Sequence, residues 1–567
     1  MTSVLIALGT AILYLIAYHT YGKFLARRIF RLSDMNECPS RSRYDGVDFV
    51  PTDKTVLFGH HFTSIAGTGP IVGPAIAIIW GWLPALLWIL IGSVFMGAVH
   101  DFGAMCLSLK NQGRSIGDLA GNVITPRIRG LFLVIIFLTL LIVVAIFGVV
   151  IASVFSTFPE AVLPCWLQIP IAMTLGWVVY RRGQPHLVCG LVATAAMYLT
   201  IVLGSYLPVH LPGAGGLSTT GTWVVILLAY AYLASTLPVQ VLLQPRDYIN
   251  AFQLMIAMGL LLLGILVSRP ELVAPAVDAS PAGAPPLIPM LFISVACGAV
   301  SGFHSLVSSG TSSKQCDLES SALPIAYGGM LMEGLLAVFV LIACGAGLGL
   351  GLEMEGGRLT GSAAFQQHYA SWTAAQGLGS KVHAFISGAS NMVASLGIPR
   401  SVIITLMGVF VASFAATTLD TATRIQRYIV GEMAQTCRVP FLSRKHPATA
   451  IAVGTALLLA FANGGGGTGA LILWPLFGAM NQLLAGLALL VMTVYLARER
   501  RTIWLTAVPM IFMLVMTGWS MGINLQRFLG DANYLLFAIS IITMALEAWM
   551  IVEALRVIFE VRREERR

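Results

Sequence analysis

The chain has few charged residues. Only 10% of its 567 residues are Asp, Glu, Lys or Arg, whereas soluble proteins carry about 25%. A soluble chain of this length would usually divide into domains joined by polar linkers, and no such linker is present. Apolar residues make up 57% of the sequence, in runs long enough to cross a bilayer as helices. We therefore predict an all-α polytopic membrane protein, since a transmembrane barrel would show short alternating segments.

Several catalytic and binding motifs are also missing. No GxxxxGK[ST] motif occurs, so the sequence does not indicate ATP-driven transport by this chain alone. No HExxH or comparable ligand spacing occurs either, and adjacent histidines such as His60 and His61 diverge by about 100° on a helix. The eight cysteines lack CxxC spacing and are interpreted as small core residues. We therefore predict no enzyme activity, no metal site and no cofactor.

Basic residues cluster in short loops between apolar runs. The clusters are Lys23, Arg27, Arg28 and Arg31; Arg127 and Arg129; Arg181 and Arg182; Arg438, Arg444 and Lys445; Arg498, Arg500 and Arg501; and Arg562, Arg563, Arg566 and Arg567. This distribution is typical of cytoplasmic loops, whereas nucleic-acid binding would need a basic face on a soluble module. The net charge of +8 therefore indicates topology, with the N-terminus outside and the C-terminus inside, and no nucleic-acid partner.

Loop charge and apolar length together predict about fifteen transmembrane helices. The predicted crossings are 3–22, 59–80, 82–109, 130–157, 166–180, 187–207, 222–244, 249–267, 287–311, 323–350, 402–436, 448–462, 468–497, 503–521 and 533–560. Residues 4–20 lack a basic n-region and a cleavage site, so they are interpreted as a retained helix. Segment 381–398 is another possible span. It would place the basic loop 424–447 outside, which favours an external or re-entrant helix there.

Two segments are predicted to be broken helices. In 59–74, the last eight residues contain three glycines and two prolines, and 294–311 carries a Gly- and Ser-rich stretch within an apolar run. Secondary transporters place such breaks at binding sites, although Gly and Pro also allow close helix packing. The opposite predicted orientations of the two segments favour a binding site. The substrate-binding candidates are Gly67, Thr68, Gly69, Gly73, Gly302, Phe303, His304, Ser305 and Ser309.

Ionisable residues within apolar runs are candidates for ion coupling, because they are costly in hydrocarbon and usually functional. They are His100, Asp101, Glu333, Asp420 and Arg424, with Thr417 and Thr418 as neighbouring hydroxyl ligands. Asp420, Arg424 and Arg427 share one helix face, so they are predicted to be able to pair. For the two arginines, snorkelling to the membrane surface is an equally good interpretation. His60 and His61 are interpreted as marking the inner mouth of their helix.

The same residues lie in motifs that resemble the carbon starvation (CstA) family. The matching segments are 44–54, 56–62, 97–102, 245–248, 298–304, 418–424 and 473–484. They extend over most of the chain in the family's order. The resemblance implies an inner-membrane protein linked to carbon starvation, with peptide uptake and proton-coupled pyruvate uptake as the described activities.

The resemblance also implies a LeuT/APC-like inverted-repeat fold. A single transporter domain, 1–567, would contain an extra N-terminal helix (3–22), a first repeat (59–207), an inserted helix pair (222–267), a second repeat (287–497) and a C-terminal helix pair (503–560). By the same analogy, 351–400 is an external loop before the long helix 402–436. Thr417 and Thr418 would face backbone carbonyls near residues 67–69, with Asp420 as a proton-titratable neighbour.

We therefore predict a secondary active transporter that imports pyruvate or di- or tripeptides in the response to carbon starvation. Proton coupling is favoured over sodium coupling. A channel and a starvation-linked membrane sensor are the alternatives. No filter-like repeat favours a channel, and no soluble signalling domain is present to carry the output of a sensor. The expected partners are the small-molecule substrate, a proton or sodium ion, and the lipid bilayer.

Overall fold

The computed structural model describes residues 1–354 and 357–565. Arg566 and Arg567 of the predicted basic tail lie outside these residues. The first half of the chain comprises α1 (Thr2–Ile29), α2 (Pro39–Ser42), α3 (Lys54–Ile65), α4 (Gly69–Trp80), α5 (Trp82–Lys110), α6 (Ile116–Val123), α7 (Pro126–Thr157), α8 (Pro159–Arg181), α9 (His186–Tyr206), α10 (Thr219–Thr236) and α11 (Leu243–Ser268).

The second half is also helical, apart from one short hairpin. It comprises α12 (Leu287–Ser294), α13 (302–315), α14 (Glu319–Leu350), the antiparallel strands β1 (Leu352–Met354) and β2 (Gly357–Leu359), α15 (Gly361–His368), α16 (Trp372–Ala375), α17 (Leu378–Ala394), α18 (Arg400–Thr436), α19 (Lys445–Ala460), α20 (Gly469–Arg498), α21 (Trp504–Gly530) and α22 (Tyr534–Glu565). The prediction of an all-α polytopic membrane protein is confirmed.

Local sequence signals define several helix ends. Asp53 and Ser115 cap α3 and α6 by accepting hydrogen bonds from the backbone amides of Thr55 and Asp118. Pro126 begins α7, at a position where the missing N–H costs no hydrogen bond. These caps lie at the ends of apolar runs, which is why the predicted spans overlap the observed helices.

In the part of the chain that the structure describes, 12 helices are long and apolar enough to cross a membrane, and the bent pair of α3 and α4 makes 13. The two other predicted crossings, 287–311 and 448–462, coincide with the interrupted α12 and α13 and with the 16-residue α19. The count of fifteen therefore stays a prediction. So does the division into two inverted repeats. The segment predicted to be external or re-entrant forms α17, which is not among the membrane-length helices.

Four helices form the centre of the bundle. The most apolar windows of α20, α14, α18 and α7 are 94%, 89%, 83% and 78% buried, whereas those of α1 and α22 are only 28% buried. α18 packs along α7, and α20 packs along α21. Polar groups on the central helices are thus enclosed by protein, while the peripheral helices present the apolar faces that a bilayer requires.

The first helix break separates α3 from α4. Residues 66–68 are not helical, and the two helices bend by 44°. The break is shorter than the predicted stretch of 67–74, because Pro70 lies in the first turn of α4, where proline is tolerated. The carbonyl of Ser64, at the end of α3, accepts a hydrogen bond from Thr418 Oγ1 (3.2 Å).

The second break, residues 295–301, separates α12 from α13. α20 provides hydrogen-bond partners on both sides of this break. Gln482 Nε2 donates to the carbonyl of Phe292 (2.8 Å), and Asn481 Oδ1 accepts from the backbone N–H of Phe303 (2.9 Å). Irregular backbone persists at membrane depth only where protein or water satisfies it, so these two amide side chains stabilise the break.

Candidate functional site

A cavity of about 210 Å³ lies between the two breaks. Its walls come from the start of α4, α7, α12, the second break, α16, α17, α20 and α21, and most of the lining is apolar. The lining includes Thr68, Gly73, Ser294, Cys297, Lys381 and Trp474. Pockets of small-molecule sites have this character, with a few polar groups in an apolar wall.

The predicted substrate-binding residues divide into two groups. Thr68, Gly69 and Gly73 line the cavity. Gly67 faces Thr418 and Phe147 instead. The other group, from α13, does not line the cavity; it comprises Gly302, Phe303, His304, Ser305 and Ser309.

α13 is helical where the sequence predicts a continued break. Its serine hydroxyls donate to carbonyls of the preceding turn: Ser305 to Gly302 (2.7 Å), and Ser309 to Ser305 (2.6 Å). Serine can bond to the backbone in this way without leaving the helix. The small side chains also let α13 pack closely against α20 and α5, which turns its residues away from the cavity.

Glycines allow the two breaks to touch. A Cβ on Gly69 would overlap Sγ of Cys297, and a Cβ on Gly73 would lie 2.8 Å from the carbonyl oxygen of Ser294. The second contact involves backbone, which cannot rotate aside as a side chain can. The wall shared by the two breaks therefore depends on glycine at position 73.

Gly73→Ala is expected to force the breaks apart and to lower both stability and substrate uptake. Overpacking of a tight contact costs about 1–3 kcal/mol, which thermal unfolding of the purified protein would detect. Gly454→Ala is the matched control, because Gly454 lies in α19 with no neighbouring atom within 4 Å of an added Cβ. Equal melting temperatures for the two variants would contradict the prediction.

A network of buried ionisable groups lies beside the second break. His100 Nδ1 and His304 Nδ1 contact the two carboxylate oxygens of Asp101 at 2.7 and 2.9 Å. His304 Nε2 lies 3.4 Å from Glu333 Oε2. All four side chains are fully buried. The structure thus brings three predicted ion-coupling residues together with His304, which the sequence analysis assigns to the substrate.

Glu333 is the least satisfied member of this network. Neither of its oxygens has a hydrogen-bond partner among the described residues, and neither has Nε2 of His304. An unpaired buried carboxylate is costly, and one proton held between Glu333 and His304 would relieve that cost. The pair is therefore suited to gain and lose a proton.

The same region offers a set of metal-ligand atoms. Cys297, His304 and Glu333 each present one donor atom, and the three donors lie within 4.8 Å of one another. A thiol, an imidazole and a carboxylate together suit a divalent transition metal such as zinc. Asp101 orients the imidazole from its other side, as carboxylates do for metal-binding histidines. The prediction of no metal site comes from the lack of a ligand-spacing motif in the sequence. These three ligands lie on separate elements, so no such motif connects them.

A second buried network joins α18 to α11 and α3. Asp420 pairs with Arg246, and Arg246 also contacts Asp247 Oδ1 at 3.1 Å. Asp247 Oδ2 lies 2.6 Å from His60 Nδ1. The predicted pairing of Asp420 with Arg424 is wrong, because a cation from another helix occupies the carboxylate. His60, which the sequence suggests as a marker of the inner mouth of its helix, is fully buried and belongs to this network.

Arg424 and Arg427 pair with Asp48, in the loop before α3. Arg424 Nη1 lies 2.6 Å from Asp48 Oδ1, and Arg427 Nη2 lies 3.2 Å from Oδ2. Burial alone would raise the pKa of Asp48, but the two arginines and Lys314 outweigh it and lower the pKa to about 2. The snorkelling interpretation is wrong for Arg424, because its side chain is fully buried against protein.

The two threonines of α18 have different partners. Thr418 donates to the carbonyl of Ser64, at the end of α3, whereas the analogy predicts carbonyls near residues 67–69. Thr417 instead accepts a hydrogen bond from Asn250 Nδ2 (2.8 Å). One helix position separates the two side chains by about 100°, so only one can face α3.

Sequence reasoning missed several residues of these sites. Arg246, Asp247 and Asn481 lie in the motifs that resemble the CstA family. The sequence therefore pointed to these positions, but it did not indicate what their side chains do. Lys381 and Cys297 line the cavity, and Cys297 also belongs to the set of donor atoms with His304 and Glu333. A lone lysine in an amphipathic helix carries no distinguishing pattern, and its burial is visible only in the tertiary structure.

The fold and site define a polytopic helical membrane protein in which two broken helices enclose a small cavity. This is the arrangement of secondary transporters. The chain belongs to the carbon starvation protein CstA family, whose model matches residues 2–520. That match includes both breaks, the cavity's α17 and α20, and most of α21.

Relatives with curated names agree with this family. The chain is 33% identical to the "Peptide transporter CstA" of Campylobacter jejuni, covering 91% of this chain and 79% of that protein. It is 32% identical to the "Pyruvate/proton symporter BtsT" of Escherichia coli, covering 92% and 81%. It is 33% identical to the E. coli "Peptide transporter CstA", covering 91% and 80%. All three relatives are named as transporters, which argues against an enzyme.

A solved transporter structure has a similar fold. A mutant form of the Eremococcus coleocola manganese transporter superposes with a TM-score of 0.51 at 13% identity, covering 92% of this chain and 99% of that one. At this identity the likeness concerns the fold alone.

Proposed function

We propose that the chain is a secondary active transporter of the cell inner membrane that imports small carboxylates or peptides with protons, in the response to carbon starvation. The N-terminus is periplasmic and the C-terminus cytoplasmic in this proposal, in accord with the positions of the basic loops. Pyruvate and di- or tripeptides are the substrates to test first, because the named relatives transport molecules of these classes.

One observation carries the proposal: the cavity and the buried ionisable network share a wall. Cys297 lines the cavity, and its thiol lies within 4.8 Å of donor atoms of His304 and Glu333. A change of protonation at Glu333 therefore occurs next to the second break. Transport couples two ligands when each changes the free energy of binding the other, and such close contact supplies that interaction.

The hydrogen bonds made by the candidate oxygen ligands favour proton coupling over sodium coupling. Sodium sites in broken-helix transporters use freed carbonyls and hydroxyls. Here Thr418 Oγ1 donates to the Ser64 carbonyl, and the Ser64 hydroxyl bonds to Thr421 Oγ1 at 3.1 Å. These oxygens satisfy one another. Asp420 pairs with Arg246, so we assign coupling to Asp101, His304 and Glu333.

Uptake by reconstituted vesicles tests this function. Purified protein in proteoliposomes is expected to accumulate labelled pyruvate or dialanine under an inward proton gradient, and a protonophore is expected to abolish the accumulation. A sodium gradient alone should not drive it. Failure of both substrates under both gradients would refute the proposal, and non-saturable flux without counterflow would indicate a channel.

A further inference from the structure

Lys381 is a buried cation that has no carboxylate partner among the residues that the structure describes. The residue belongs to α17, lines the cavity and is 5% exposed. Within residues 1–354 and 357–565, no Asp or Glu forms an ion pair with it. Lysine is almost never buried unless it is paired, so this position requires a compensating interaction or a functional reason.

Trp474 compensates Lys381 only in part. Nζ lies 5.0 Å from the centroid of the indole ring, within cation–π distance. Burial nevertheless lowers the pKa of Lys381 to about 7. The ammonium group is therefore poorly solvated, and an anion beside it would stabilise the charged form.

Among the described residues, the charged groups in the cavity wall are all cationic. Arg527 is the other charged lining residue of the described chain, and it is half-exposed beside Asp531, which lies outside the lining. No Asp or Glu is part of the described wall. A carboxylate in the cavity would find Lys381 in apolar surroundings, whereas an ammonium group would lose its hydration without gaining a counter-charge.

The cavity suits a ligand of few atoms. Its volume of about 210 Å³ lies below the ~300–1,000 Å³ of pockets that take drug-sized ligands. Trp372, Trp474 and Phe477 supply apolar surfaces in the cavity wall. These surfaces would contact the uncharged part of a small organic acid.

We propose that Lys381 binds the substrate carboxylate, so that the cavity selects small monoanions over zwitterionic amino acids and peptides. This inference rests on the proposed function, in which the cavity is the transport site. It assigns specificity to a residue of α17, outside the two broken helices.

Calorimetric binding to the purified full-length protein tests this role. The ligands are pyruvate, its uncharged amide pyruvamide, alanine and dialanine. Wild-type protein is expected to bind pyruvate at least about tenfold more tightly than the other three. Pyruvamide lacks the carboxylate that accepts a charge-assisted hydrogen bond from Lys381, whereas alanine and dialanine carry an ammonium group that the cavity wall leaves without a counter-charge. Lys381→Met should weaken pyruvate binding at least about tenfold and leave pyruvamide unchanged, whereas Lys381→Arg should retain pyruvate.

Arg358→Met is the matched control, because Arg358 is an exposed cation of β2 outside the cavity. Unchanged pyruvate binding in Lys381→Met would overturn the role of this residue. Equal losses for pyruvate and pyruvamide would assign it a structural role and overturn it as well. Wild-type binding of dialanine as tight as that of pyruvate would overturn the selectivity. If the wild-type protein binds none of the four ligands, the proposed function itself fails. That result differs from normal pyruvate binding by Lys381→Met, which refutes only the role of the lysine.

Discussion

Glu333→Gln is expected to abolish proton-driven accumulation while leaving substrate exchange intact. The amide is close to the carboxylate in shape but cannot share a titrating proton with His304, 3.4 Å away. With membrane potential clamped and a pH difference of ~1 unit, one coupled proton supports about tenfold accumulation, because one pH unit equals ~1.4 kcal/mol. The variant should equilibrate its substrate without accumulating it. Uptake and counterflow of labelled pyruvate in the same proteoliposomes measure the two activities.

Glu353→Gln serves as the control for this experiment. Glu353 is a half-exposed carboxylate of β1 that pairs with Arg400 at the surface, so full accumulation is expected. Asp101→Asn should reproduce the Glu333→Gln result, since Asp101 contacts Nδ1 of His304, the imidazole that lies beside Glu333. Wild-type accumulation by Glu333→Gln would exclude this carboxylate from coupling. Loss of both accumulation and counterflow would indicate a damaged substrate site instead.

Arg246→Met is expected to destabilise the protein severely. The guanidinium pairs with both Asp420 and Asp247, and all three side chains are at most 2% exposed. Removing one member of a buried ion pair leaves an uncompensated charge and costs about 3–5 kcal/mol. We expect a large fall in the melting temperature of the detergent-purified protein, or its failure to accumulate in the membrane.

Two further variants separate this effect from a general loss of charge. Arg246→Met combined with Asp420→Asn removes one unpaired carboxylate and should recover part of the stability, while Asp247 keeps its contact with His60. Arg556→Met removes a mostly exposed arginine that pairs with Glu553 and should change stability by less than about 1 kcal/mol. A double variant no more stable than Arg246→Met would argue against the ion pair as the cause.

The helices could be predicted because their signals are local. Every predicted crossing overlaps a helix of the structure, since apolar length and proline positions act within a few turns. The breaks were located less well. Pro70 begins α4 and does not extend the first break. In α13 the serines bond to their own helix, so Ser305 and Ser309 continue it.

Charge pairing could not be predicted, because helix spacing says nothing about competing partners. Asp420 and Arg424 share a face of α18, yet each pairs with a residue far away in the chain. Asp420 pairs with Arg246 of α11, and Arg424 pairs with Asp48, which lies in a loop 376 positions earlier in the chain. Buried charges require the nearest desolvated partner, and only the packing of the helices decides which one that is.

The sequence by itself determined a membrane-embedded helical bundle of the CstA family with two interrupted helices. Those properties follow from composition, apolar length and motifs, each readable along the chain. Only the tertiary structure decided that Thr68, Gly69 and Gly73 face a cavity while the residues of α13 do not. It also placed Lys381 against Trp474 and Glu333 against His304. The physical reason is burial, since the cost of removing a charge from water depends on the atoms of several separate helices that surround it.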